Sequence, residues 1–219
     1  MAQVSRPQLY YFYDALCGWC YGFSPVIQAL HDQHYEQMDF QVISGGMIVE
    51  ERIGPIGAVA PYIAKAYKQV EDASGVRFGE AFLEGILAEG TAIFTSVPAA
   101  VALSVFKEEL PAQAVAFAAA LQKAVYYDGV EPARNESFAP YAAAFGLEEE
   151  AFLEKMYAPQ ALQAAYKDFA LAAQFGIQGF PSLVIDIGAP QLYLLARGYD
   201  SQERINQRIE AIYQENKPA

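Results

Sequence analysis

An Ala-rich, helix-periodic stretch from about residue 56 to 176 separates an opening that reads strand–helix–strand from an ending that reads strand–strand–helix. Neither flank has enough strands to cover its own apolar faces. The pattern therefore predicts an α/β fold in which both flanks join one sheet, with helices on its faces. The expected organisation is a discontinuous domain over 1–50 and 158–219, with an inserted, all-helical subdomain over 51–157.

Leu9-Tyr10-Tyr11-Phe12-Tyr13 is an aromatic run that reads as a buried strand. Phe23, Val26, Ile27 and Leu30 then recur at helical spacing from Gly18 to about Tyr35, with Pro25 predicting a kink. Met38–Ile43 reads as a second strand, stopped by Gly45-Gly46. Within the insert, Ile63, Ala66, Tyr67 and Val70 form one stripe, and further helices are expected over 80–87, 98–110, 111–127, 137–145 and 148–157. Pro159–Phe175 reads as a helix. Ser182–Ile187 and Gln191–Ala196 read as a hairpin around Gly188-Ala189-Pro190, and Ile205, Ile209 and Ile212 mark a closing helix.

Cys17 and Cys20 are the only cysteines, and they lie where the first strand gives way to the first helix. As a staple, such a pair would close a very small loop and stabilise little. As a reagent it is well placed. The unpaired N–H groups and positive dipole end of a helix N-terminus favour a thiolate at Cys17. Cys17 is thus the expected nucleophile toward a substrate disulfide, and Cys20, one turn on, the resolving thiol. Inert buried thiols are the plainer reading, but a core does not call for this spacing at this junction.

A metal site is the other competitor, since Cys17, Cys20, His31 and His34 superficially resemble a zinc ligand set. A helix over 18–35 would separate Cys20 from His31 by about 16 Å of axial rise. The histidines read instead as polar residues on an exposed helix end, and no metal is expected. Trp19, between the thiols, carries no charge with which to stabilise a thiolate. It is expected to contact substrate, to cover the disulfide, or both. Asp14, three residues before Cys17, reads first as a turn cap and second as a carboxylate able to raise a thiol pKa or relay protons.

The chain carries 14 basic and 26 acidic residues, a net charge of −12. That surface repels phosphate backbones and anionic headgroups, so neither nucleic acid nor membrane is an expected partner. No stretch is apolar enough to span a bilayer, and no apolar leader precedes the first strand, which points to the cytoplasm. There a disulfide is usually transient and catalytic.

Asp14-Ala15-Leu16-Cys17-Gly18-Trp19-Cys20-Tyr21-Gly22, Ser44-Gly45-Gly46-Met47, Gly75-Val76-Arg77-Phe78-Gly79-Glu80 and Gly179-Phe180-Pro181-Ser182 together resemble the DsbA family of thioredoxin-like thiol-disulfide oxidoreductases. The resemblance is closest to its cytosolic protein-disulfide isomerase, FrnE-type members. It implies a thioredoxin-like fold with a large helical insertion, Cys17 and Cys20 as the redox pair, and Pro181 as a cis-proline facing them. Phe180 and Pro181 would then hold an extended substrate chain by strand addition. It also implies a protein-disulfide oxidoreductase or isomerase that needs no cofactor beyond its own dithiol. Its partners would be disulfide-containing proteins or thiols, with glutathione open. Tyr11 departs from the family, whose members usually place a buried acid there. Two alternatives share the fold: a glutathione transferase or isomerase of the kappa-class or 2-hydroxychromene-2-carboxylate isomerase type, and a non-catalytic adaptor. A second thiol is redundant for the transferase chemistry.

Overall fold

The structure is a computed structural model, and it describes residues 6–217. The reading that no apolar leader is present falls partly on residues 1–5, outside the described residues.

Strand β1 (Gln8–Tyr13) leads into helix α1 (Gly18–His34) and strand β2 (Asp39–Ser44). The insert then runs through β3 (Gly54–Pro55), α2 (Ala60–Ser74), α3 (Leu87–Glu89), β4 (Ile93–Phe94), α4 (Val97–Glu109), α5 (Ala114–Tyr126), α6 (Ala139–Ala143) and α7 (Glu149–Tyr157). Helix α8 (Pro159–Gln174), strands β5 (Ser182–Asp186) and β6 (Tyr193–Arg197), and helix α9 (Gln202–Glu215) close the chain. The main sheet is four-stranded in the order β2-β1-β5-β6. Strand β1 pairs parallel with β2, Gln8 opposite Asp39, and antiparallel with β5, Leu9 opposite Ile185. Both flanks of the insert thus share one sheet.

The alternation of β1 sorts its side chains between two cores. Leu9, Tyr11 and Tyr13 enter the large core that also holds α1, α5 and α9 residues. Phe12 turns to the opposite face, with Ile43, Val184 and Ala172, where Tyr10 and Phe175 pack against it. Helix α8 covers that second face and is pinned there by a polar contact. Asp168 Oδ2 accepts from Lys107 Nζ at 2.7 Å and from the Ser44 amide at 3.1 Å. Lys107 also donates to the Val42 carbonyl at 3.0 Å, so one ion pair ties α4, α8 and β2 together.

The structure departs from sequence expectation in several places. The insert is not wholly helical, because Gly54–Pro55 and Ile93–Phe94 form a two-stranded antiparallel ladder. Such short pairs show no periodicity in sequence. The expected helix over 80–87 begins as a π-helix, Ala81–Ile86, and continues as α3. Only Ala139–Ala143 of 137–145 is α-helical, after a 3₁₀ turn over Asn135–Ser137. Helix α1 stays helical through Pro25, which removes a single N–H from the ladder. Its contact with α2 is close: a Cβ at Gly22 would lie 2.6 Å from Val70 Cγ1.

Candidate redox site

The site forms where β1 ends. The Asp14 carboxylate, buried at 2 % exposure, organises the turn. Its Oδ1 accepts from the Leu16 amide and the Ser96 hydroxyl, both at 2.9 Å, and its Oδ2 from the Met47 amide at 2.7 Å. Asp14 is therefore a turn cap that also gathers the loop after β2 and the start of α4. Burial raises its pKa despite the three donors.

This turn delivers Cys17 to the N-cap of α1, where its sulfur accepts the Cys20 amide at 3.3 Å. A negative charge on sulfur at this cap position would face the open N–H end of the helix. Both cysteines are free thiols. Cys17 retains 8 % exposure and Cys20 none. Cys17 is thus not broadly exposed, and its remaining surface opens into a recess. Burial, then the hydrogen bond and charge of Cys17, push the Cys20 thiol well above its ordinary value. The contribution of Cys17's charge disappears once Cys17 is bonded to another sulfur, so consuming the first thiol eases ionisation of the second.

The Phe180–Pro181 bond is cis, and the Phe180 carbonyl accepts from Cys17 Sγ at 3.5 Å. Residues separated by most of the chain therefore meet at one sulfur. Pro181 is buried and Phe180 half-buried. The Phe180 ring lies over Gly45, where a Cβ would sit 2.0 Å from its Cζ. Trp19 is half-buried and packs on Tyr199, with ring centroids 5.9 Å apart. The Tyr199 hydroxyl donates to the Ala73 carbonyl of α2 at 2.8 Å, tying the insert to the loop after β6.

Beside Cys17 lies a cavity of about 290 Å³, with Leu16, Gly18 and Trp19 on one side and the stripe of α2 on the other. Tyr126 of α5 and Phe78 complete it, and the Tyr126 hydroxyl donates to the Leu16 carbonyl. Gln122 of α5 is buried, accepts from Ser24 Oγ at 2.6 Å and reaches the Asp14 carbonyl at 3.5 Å. Tyr11 fills the place of the expected acid. Its hydroxyl is buried, and burial, then Cys20, hold its pKa well above the ordinary range.

His31 and His34 lie away from this site. His31 packs against Phe40, 5.0 Å between ring centroids, and His34 Nε2 contacts Asn206 Oδ1 at 2.8 Å. They are half-buried packing residues rather than exposed ones. Sequence reasoning missed Tyr199, Gln122, Tyr126 and the loop contacts of Met47. Gln122 alone left a signal, as a polar side chain on the apolar side of an Ala-rich helix.

Residues 8–210 match the profile of the DSBA-like thioredoxin domain. Among curated proteins none matches. A candidate protein disulfide isomerase from Nitrosomonas europaea superposes with a TM-score of 0.83 at 26 % identity, covering 97 % of this chain and 100 % of that one. The cytosolic disulfide reductase DsbM from Pseudomonas aeruginosa gives 0.76 at 25 % identity, covering 94 % and 98 %. The same protein with GSH gives 0.75 at 26 %, covering 94 % and 99 %. A 2-hydroxychromene-2-carboxylate isomerase, at 13 % identity and a TM-score of 0.64, shares the fold alone. With its split sheet, its dithiol at the first helix and a profile match over nearly its whole length, the chain belongs to the DSBA-like thioredoxin domain family.

Proposed function

We propose that this protein is a thiol-disulfide oxidoreductase or isomerase that works through Cys17 and Cys20 without a separate cofactor. The observation that carries the reading is the asymmetry of the pair. Cys17 caps the helix and retains surface, while Cys20 lies fully buried behind it with its amide on the Cys17 sulfur. The Cys17 thiolate attacks a substrate disulfide, one substrate sulfur leaves as a thiolate, and a mixed disulfide forms. The Cys20 thiolate then attacks Cys17 Sγ and releases the second substrate thiol. Two electrons pass to the substrate, and Cys17–Cys20 becomes a disulfide. Run in reverse, the same steps oxidise a dithiol. If a substrate thiolate attacks the mixed disulfide first, the substrate is isomerised.

Phe180 and Pro181 hold the substrate backbone in this scheme, and Trp19 contacts its side chains. The partners are proteins or small molecules bearing a thiol or disulfide, in keeping with the cytosolic reductase and its complex with GSH. We assign it to the cytoplasm on the same likeness; among the described residues no helix is long and apolar enough to cross a membrane. The test is disulfide reduction of insulin by the wild type, Cys17→Ser and Cys20→Ser. Cys17→Ser should be inactive, and Cys20→Ser should accumulate mixed disulfides. Full activity in Cys17→Ser would overturn the assignment.

A further inference from the structure

Helix α2 is amphipathic, and its apolar side is only partly spent on the core: Val70 is buried there, while Ile63 and Tyr67 pack against the core half-buried. Of its fifteen residues only Val70 is buried. Val59, Tyr62, Ile63, Ala66, Tyr67 and Val70 recur at helical spacing and all line the cavity beside Cys17. Val59 and Tyr62 are 47 % and 68 % exposed, so the cavity opens to solvent at that rim. An apolar helix face held open beside a nucleophilic sulfur is a pocket for what the sulfur reacts with, not unfinished packing.

The size and chemistry of the lining narrow the occupant. An apolar cavity of about 150 Å³ accepts benzene, so about 290 Å³ holds an aromatic side chain with its linking atoms. Among the described residues no charged side chain lines it; Lys68 reaches the Tyr67 ring, 6.0 Å from its centroid, but does not line the cavity. Glutathione carries two carboxylates and an ammonium, which would meet no partner there, and burying an unpaired charge is costly. The net charge of −12 adds general repulsion toward an anion.

We propose that this cavity is a specificity pocket for an uncharged aromatic or bulky aliphatic group attached next to the reacting sulfur, and that it ranks such disulfides above glutathione disulfide. The inference rests on the dithiol chemistry proposed above. Burying a Phe-sized group is worth about tenfold to hundredfold in kcat/KM.

The experiment compares three disulfides as substrates of the wild type: the symmetric dimers of N-acetyl-Cys-Phe amide and N-acetyl-Cys-Gly amide, and glutathione disulfide. The Phe peptide should exceed both others by at least about tenfold in kcat/KM. Ala66→Phe, which fills the cavity, should collapse the Phe-to-Gly ratio toward one. A binding measurement stands apart from turnover and from the folding of that variant. Trp19, the sole tryptophan, lines the cavity. Its emission in the reduced wild type should titrate with N-acetyl-S-benzylcysteine amide at a Kd at least about tenfold below that for S-methylglutathione. Equal kcat/KM for the three disulfides, or equal affinity for the two thioethers, overturns the pocket alone. No turnover of any disulfide overturns the dithiol reading and this inference with it.

Discussion

Replacing Asp14 by alanine should destabilise the fold by about 1–5 kcal/mol. Its carboxylate accepts from the Leu16 amide, the Met47 amide and the Ser96 hydroxyl. The hydroxyl can rotate to another acceptor, but the two buried amides cannot. Each orphaned amide costs about 1–3 kcal/mol, and removing the buried carboxylate returns roughly 1 kcal/mol of its desolvation. Asp14→Asn keeps the shape and the Oδ1 bonds but turns an NH₂ toward the Met47 amide, at a loss of about 1–2 kcal/mol. Urea unfolding at pH 7 checks the order wild type, Asp14→Asn, Asp14→Ala.

The pH dependence supplies a second readout. Burial holds the folded pKa of Asp14 above its unfolded value of about 3.9. The folded state therefore binds this proton more tightly, and its contribution to stability grows as pH falls through the folded pKa toward 4. Asp14→Asn lacks that gain, so the stability gap between wild type and Asp14→Asn should widen on acidification. A gap that narrows, or an Asp14→Ala protein within 0.5 kcal/mol of wild type, would refute the reasoning.

Three further outcomes are expected. In the reduced protein, iodoacetamide should modify Cys17 well before Cys20, since burial and Cys17 both hold Cys20 in the thiol form; equal rates, read by peptide mass, would contradict the assigned roles. Lys107→Met should cost about 2–4 kcal/mol, because it leaves the largely buried Asp168 carboxylate with only the Ser44 amide. Lys107→Met/Asp168→Asn should recover part of that loss in a urea double-mutant cycle, and strict additivity would count against the coupling. Gly79→Ala should lower the midpoint of thermal unfolding by several degrees, because its Cβ would lie 1.9 Å from the Tyr127 carbonyl oxygen, where no side chain can yield; an unchanged midpoint would refute that contact.

The split sheet was legible because its strands are long enough to show their character. Leu9–Tyr13 and Ser182–Asp186 read as buried runs in any frame, and the cysteine pair marked where a helix must start. What stayed hidden depends on contacts distant in sequence. Gly45-Gly46-Met47 has no local meaning until Phe180 lies over Gly45, Phe169 crowds Gly46 and the Met47 amide finds Asp14. Gly79 likewise reads as punctuation until Tyr127 passes beside it. The stripe of α2 was legible as apolar, but apolar periodicity alone does not tell a face that meets the core from one that lines a cavity. The π-helix and the two-residue strands are tertiary outcomes with no periodic signature.

Tyr126 belongs to the insert, yet it does two things at once. Its ring bounds the cavity beside Cys17, and its hydroxyl holds the carbonyl of Leu16 just ahead of that cysteine. One turn earlier on the same helix, Gln122 accepts from the Ser24 hydroxyl, which also donates to the Cys20 carbonyl at 3.3 Å. On the dithiol reading proposed above, selectivity and redox poise therefore have no separate addresses in this protein. A drift in sequence along α5 that reshapes the cavity also shifts the surroundings of the sulfurs. The two properties must diversify together, and transplanting this insert onto another family member would carry a change of potential along with any change of substrate.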